Sequence, residues 1–113
     1  MSKRSTEEFL YDILESVKRI DGYTKDISFQ ALLKNTMIQD AVIRNMEIIG
    51  EAAKNIPGEF KNKHSEIEWK KIAGMRDKII HFYFGVNWEI VWDVIRHKLP
   101  SLKQRIELIL KRG

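Results

Sequence analysis

Met75-Arg76-Asp77-Lys78-Ile79-Ile80-His81-Phe82-Tyr83-Phe84-Gly85 decides the fold class, because its second half suits two secondary structures. The β-branched and aromatic residues at 79–84 favour a strand. A strand needs a partner, and no other stretch of the 113 residues supplies one. The alternative is the end of a helix begun upstream, since Trp69, Ile72, Ala73, Met75, Ile79 and Ile80 recur at helical spacing. Ahead of them Ser65-Glu66-Ile67-Glu68 reads as a capping box that starts the helix, and Gly85 as its stop. The segment is therefore expected to be helical, and the chain all-α.

The flanking sequence agrees. Phe9, Leu10, Ile13, Leu14, Val17 and Ile20 predict a helix over 5–21, capped by Ser5 or Thr6 and ending near Asp21-Gly22. A second helix is expected from Ser28 through Phe29, Leu32, Leu33, Met37, Ala41, Ile48, Ile49, Ala52 and Ala53, stopping before Pro57-Gly58 after about eight turns. The last opens near Asn87 with Ile90, Val91, Val94 and Ile95, and resumes after Pro100 with Leu102, Ile106, Ile109 and Leu110. Pro100 must either kink it or begin a new helix. With only two prolines and six glycines, and no repeat, residues 1–113 are expected to form one domain. The expected architecture is an antiparallel bundle of four to five helices, with Trp69, Trp88 and Trp92 in its core or at an oligomer interface.

Composition removes several function classes. There is no cysteine, hence no disulfide framework, thiol nucleophile or thiolate metal ligand. His64, His81 and His97 are too far apart in sequence for a local metal motif, so neither a metal nor another cofactor is expected. No apolar run approaches the ~18 residues of a spanning helix, and the N-terminus turns acidic at Glu7-Glu8 instead of apolar, so a cytoplasmic protein is expected, with no membrane partner. The net charge of +4 is unevenly spread. Residues 96–113 hold Arg96, Lys98, Lys103, Arg105, Lys111 and Arg112 against Glu107 alone, and residues 61–78 are also rich in Lys and Arg. Two basic segments flanking an aromatic stretch could serve an RNA-binding surface; equally, they could complement a helix dipole and aid solubility.

Two sets of polar residues stand out against the amphipathic background. Asp40, Arg44, Glu47 and Glu51 share one face of the second helix, either as a solvated ladder of ion pairs or as a face that builds a secondary site or meets a partner. Arg76 and His81 offer different chemistry. A histidine can accept and donate a proton near neutral pH, while an arginine stays charged and can stabilise a pentavalent phosphate. Together they could cleave RNA without a metal, because the ribose 2′-hydroxyl supplies the nucleophile. On a regular helix five residues advance about 7.5 Å and turn about 140° from the starting face, so the two side chains are not close neighbours. Two copies meeting across a symmetry axis, or a helix distorted near its end, would bring them to one phosphate. Asp77 lies one turn before His81 and can orient it. The plain alternatives are a structural histidine at 81 and a core or interface tyrosine at 83. His64 and His97 look like surface residues.

Arg76-Asp77-Lys78-Ile79-Ile80-His81-Phe82-Tyr83 resembles the Arg-x4-His-x-Tyr motif of the HEPN superfamily, specifically its HepT-type toxins. The similarity extends over nearly the whole chain, through residues 39–52 of the second helix, Trp69-Lys70-Lys71-Ile72-Ala73-Gly74-Met75, and the break at Leu99-Pro100-Ser101-Leu102. The resemblance implies a homodimeric all-helical ribonuclease with Arg76 and His81 of both subunits lining a composite cleft. It implies metal-independent cleavage leaving a 2′,3′-cyclic phosphate or its hydrolysed form and a 5′-hydroxyl. It also implies a type VII toxin–antitoxin pair, in which an MntA-like minimal nucleotidyltransferase silences the toxin by AMPylation of the motif tyrosine, Tyr83 here. The RNA target, transfer or messenger, stays open. The competing expectations are a catalytically silent helical module that partners such a nucleotidyltransferase, and a simple nucleotide-binding domain.

Overall fold

Ser5 starts the first helix with both halves of a capping box: its Oγ accepts from the Glu8 amide at 3.1 Å, and Glu8 Oε1 accepts from the Ser5 amide at 3.3 Å. The structure, a computed structural model, describes residues 5–81 and 85–112, with backbone alone for 76 and 78–81. Helix α1 (Thr6–Thr24) buries Leu10, Ile13, Leu14, Val17 and Ile20. It passes the expected stop at Gly22. A glycine inside a helix costs about 1 kcal/mol, but Thr24 is fully buried beyond it, donating from Oγ1 to the Ile20 carbonyl at 2.8 Å.

The expected second helix is two helices, α2 (Phe29–Lys34) and α3 (Thr36–Asn55). Asn35 separates them in an extended conformation, with φ −118° and ψ 96°. Its side chain accepts from the Ile38 amide at 3.0 Å and so caps α3, the bond by which asparagine competes with a continuous helix. Gln39 Nε2 donates to the Leu32 and Leu33 carbonyls freed by the break.

The Ser65–Glu68 capping box does not form. Helix α4 (Gly58–Lys63), unforeseen in the sequence, is followed by turns, and α5 (Trp69–His81) begins four residues after Ser65. Burial decides this: Ile67 and Trp69 both enter the core, and the Trp69 indole N–H donates to the His64 carbonyl at 3.0 Å. Phe82, Tyr83 and Phe84, the expected helix end before Gly85, lie outside the described residues.

After Asn87, whose side chain accepts from the Glu89 and Ile90 amides, α6 (Trp88–Asp93) passes through a π-helical turn (Val94–Lys98) into α7 (Leu99–Arg112). The helix neither breaks nor restarts at Pro100. Its ring would crowd the carbonyl four residues back, and the wider turn relieves this by pairing the Leu99 amide with the Val94 carbonyl five residues back. Arg96, in that turn, donates to the Thr24 and Ile27 carbonyls at 3.0 and 2.9 Å and lies 4.1 Å from the Trp92 ring centre.

The result is the expected all-α bundle: four longer helices, α1, α3, α5 and α7, linked by short ones, with no strand among the described residues. Helix α3 is central, packed against α1 and α5, and α7 closes on α1. One core runs from Leu10 to Ile106 and includes Trp69, while Trp88 and Trp92 pack half-buried on its edge. None of the described helices is long and apolar enough to cross a membrane.

Candidate functional site

The motif helix is anchored at its start. Trp69 is buried and meets the Phe60 ring edge-on at 6.1 Å, so α4 and the turns after it hold the first turn of α5 in place. Ile72, Ala73 and Met75 then pack half-buried against the core. Arg76, Asp77 and His81 follow in the last two turns, and α5 stays α-helical through His81. The separation of Arg76 and His81 along one helix is therefore that of a regular helix, about 7.5 Å along the axis. Asp77 has an exposed side chain one turn from His81. Tyr83 lies outside the described residues, as do the side chains of Arg76 and His81.

The Asp40, Arg44, Glu47 face of α3 is only partly gathered. Arg44 Nη1 and Glu47 Oε2 stand 3.9 Å apart, a loose, mostly exposed ion pair worth a few tenths of a kcal/mol. Both line a shallow groove of about 380 Å³ with Ile48, Glu51 and two residues of α1, Phe9 and Asp12. Asp40 is exposed and does not line it. Phe9 and Asp12 come from another helix, and no spacing within α3 could have pointed to them.

An exposed ion pair forms at the start of α5. Lys71 Nζ lies 2.7 Å from Glu68 Oε2 and holds that carboxyl below the usual carboxylate range, with Lys98 and Arg105 adding to the pull from the π-turn and α7. Glu68 raises the Lys71 ammonium in return. These cations are far apart in sequence. The one signal that could have paired two of them is that Lys98 and Arg105 are seven residues apart and immediately precede the buried Leu99 and Ile106. His64 is not the plain surface residue expected: its ring packs on Phe60 at 4.5 Å and its Nδ1 lies 3.5 Å from Glu66 Oε1. His97 is exposed, 3.9 Å from Asp93.

The profile of one family, "Ribonuclease HepT-like", matches residues 13–109. The chain is 49% identical to "Putative RNase MJ0127" of Methanocaldococcus jannaschii, covering 98% of this chain and 92% of that protein. It is 47% identical to "Probable ribonuclease HepT" of Thermococcus cleftensis, covering 96% of this chain and 99% of that one. A third relative, "Putative RNase TTE0752" of Caldanaerobacter subterraneus, is 43% identical over 96% of this chain and 97% of its own. No solved structure matches the chain with significance.

Proposed function

Because the chain belongs to the HepT-like ribonuclease family, we propose that it is a metal-independent endoribonuclease, acting as one domain in a homodimer whose two copies of Arg76 and His81 line a shared cleft. One observation carries this assignment. Arg76 and His81 occupy the last two turns of a regular α5, in a chain aligned almost end to end with relatives named as ribonucleases. A regular helix keeps the two residues on different faces, which favours their meeting a phosphate from two copies. Exposed Leu33, Met37 and Ile90 are apolar surface that a second copy can cover. The formal charge of +4 per chain attracts RNA.

In this mechanism His81 takes the proton of a ribose 2′-hydroxyl, whose oxygen attacks the adjacent phosphorus. The bond to the 5′-oxygen breaks, a protonated imidazole returns a proton to that leaving oxygen, and Arg76 neutralises the charge building on the pentavalent phosphate. The products are a 2′,3′-cyclic phosphate and a 5′-hydroxyl. Asp77 orients the imidazole without touching RNA. The protein is the cytoplasmic toxin of a type VII pair. Its MntA-like nucleotidyltransferase transfers AMP from ATP to the Tyr83 hydroxyl with release of pyrophosphate. The added phosphate and bulk block the cleft by repulsion and sterics.

The test is cleavage of RNA in EDTA by the purified protein and by Arg76→Ala and His81→Ala. Loss of at least about 100-fold in each variant, with helical circular dichroism unchanged, supports the mechanism; full cleavage by both refutes it. Cleavage by neither wild type nor variants, together with co-purification of the nucleotidyltransferase, would instead identify a catalytically silent partner module. Intact mass and peptide mapping after co-expression should show adenylyl groups on Tyr83.

A further inference from the structure

Helices α1 and α7 pack on each other and leave a groove of about 660 Å³ between them, lined by Tyr11, Leu14 and Lys18 on one side and Gln104, Leu108 and Lys111 on the other. The two helices run antiparallel, since Arg96, ahead of α7, donates to the Thr24 and Ile27 carbonyls at the end of α1. Gln104, eight residues beyond Arg96, therefore comes level with Lys18, six before Thr24. Lys111, fifteen beyond, comes level with Tyr11, thirteen before. One lysine thus stands at each end of the groove, the two separated by seven residues of helix, about 10.5 Å. Leu14, Leu108 and Leu110 lie between them. Tyr11 and Leu108 are 54% and 53% exposed, large apolar surface that the chain itself leaves open. The side chains of Tyr11, Lys18, Gln104 and Lys111 make no hydrogen bond or ion pair among the described residues. Glu107 is the one carboxylate in the lining, against two lysines. Elsewhere on α1 Glu15 and Arg19 hold each other at 3.1 Å, and in the α1–α3 groove Arg44 faces Glu47, so those charges are already matched.

We infer that this groove docks an amphipathic α-helix of a protein partner, one that carries acidic residues seven positions apart with leucine-like side chains between them. Shape and charge match together. A groove between two antiparallel helices accepts a third helix, whose residues i, i+3, i+4 and i+7 point into it. Acids at i and i+7 stand about 10.5 Å apart and reach Lys18 and Lys111, while i+3 and i+4 cover Leu14 and Leu108. A second copy fits less well, because two facing grooves set four lysines against two carboxylates. Single-stranded RNA also fits less well, since it stacks successive bases on aromatic rings, and Tyr11 is the one ring in the lining. None of these residues belongs to the Arg76 and His81 motif or to the exposed Leu33, Met37 and Ile90, so the inference goes beyond the ribonuclease reading and does not rest on it.

The probe is a stapled helical peptide of about 15 residues with glutamates at i and i+7 and leucines at i+3 and i+4, together with a twin that has lysines in place of the glutamates. Each is titrated to about 1 mM into the full, isotopically labelled chain, wild type and the double variant Lys18→Glu, Lys111→Glu, and followed by NMR. The glutamate peptide should shift the amides of Tyr11, Lys18, Leu108 and Lys111 in the wild type, and bind at least about tenfold more tightly than the lysine peptide. The double variant should invert that preference with an unchanged melting curve, because both lysines are exposed and make no ion pair. A folded variant that keeps the wild-type preference overturns the inference. On the wild type alone, equal binding of the two peptides, or no shift at these amides, overturns it as well, whether or not the variant folds. So does a 2′-O-methyl RNA that shifts these amides when the glutamate peptide does not. Sedimentation of wild type and Leu108→Glu separates the last alternative: fewer chains per assembly in the variant assigns the groove to a second copy and overturns the partner helix, while an equal number upholds an open groove. RNA cleavage by the chain, present or absent, changes none of these outcomes.

Discussion

Replacing Arg96 by methionine should destabilise the bundle by about 3.5 kcal/mol, because the guanidinium performs three tasks that the aliphatic stem cannot. It donates to the Thr24 carbonyl at 3.0 Å and the Ile27 carbonyl at 2.9 Å, and it lies over Trp92 at 4.1 Å. A hydrogen bond from a charged donor contributes about 1.5–3 kcal/mol; since Arg96 is half-buried, the lower end applies to each. Stacking on an indole adds about 0.5–1 kcal/mol. Methionine keeps the stem packing against the ring, so the loss isolates the charged fork. Both bonds leave one nitrogen, Nη2, so lysine at this position restores a charged donor but not the planar group over Trp92, and should recover only part of the loss. The assay is urea unfolding followed by circular dichroism at one fixed protein concentration, because self-association would otherwise enter the apparent stability. The midpoint should fall with an unchanged denaturant slope. On heating, a loss of about 3.5 kcal/mol should lower Tm by roughly 15 °C for a chain of this size. A loss under about 0.5 kcal/mol, the value of an ordinary surface contact, would refute the claim that this arginine ties the end of α1 to the π-turn.

Three further outcomes are expected. Ile106→Ala, at a position with 0% exposure, should cost about 2–5 kcal/mol in the same urea titration. Asn35→Ala removes the α3 cap and should cost about 1 kcal/mol, while far-ultraviolet circular dichroism reports whether α2 and α3 then merge into the single helix their periodicity favours. Lys71→Ala should return the Glu68 carboxyl toward its ordinary range, seen as an upward shift of its titration midpoint by NMR. Because the folded-state value is the lowered one, any stability from this pair is present above the unfolded-state carboxylate pKa and is lost as pH falls through the folded-state value.

The periodicity of apolar residues was enough to read the main helices, since a 3.6-residue repeat leaves one solution for a stripe such as Leu10, Ile13, Leu14 and Val17. It was not enough to read the joints. Asn35 sits in an unbroken apolar pattern, and the break rests on its own cap of the Ile38 amide together with the Gln39 bonds to the Leu32 and Leu33 carbonyls. Ser65 and Glu68 satisfy the local rule for a capping box, yet burial of Ile67 and Trp69 sets the start of α5 four residues later. Pro100 signalled an irregularity correctly, but the form it takes, a π-turn that Arg96 ties to the end of α1, was not among the expected ones because it depends on contacts far along the chain. Of the candidate site, the order Arg76, Asp77, His81, Tyr83 was legible because it is local. The meeting of Phe9 and Asp12 of α1 with Arg44 and Glu47 of α3 was not, because it joins two helices.

By itself the sequence determined the all-α class, the stripes that make the core, and the chemistry available on α5, because each depends on residue identity and on spacing within one helix. Tertiary structure alone decided where helices start and stop, and which charges share a surface. Those outcomes depend on contacts between residues far apart along the chain, such as Arg96 with Thr24, whose energies of a few kcal/mol exceed the local preferences of about 1 kcal/mol for caps and glycines.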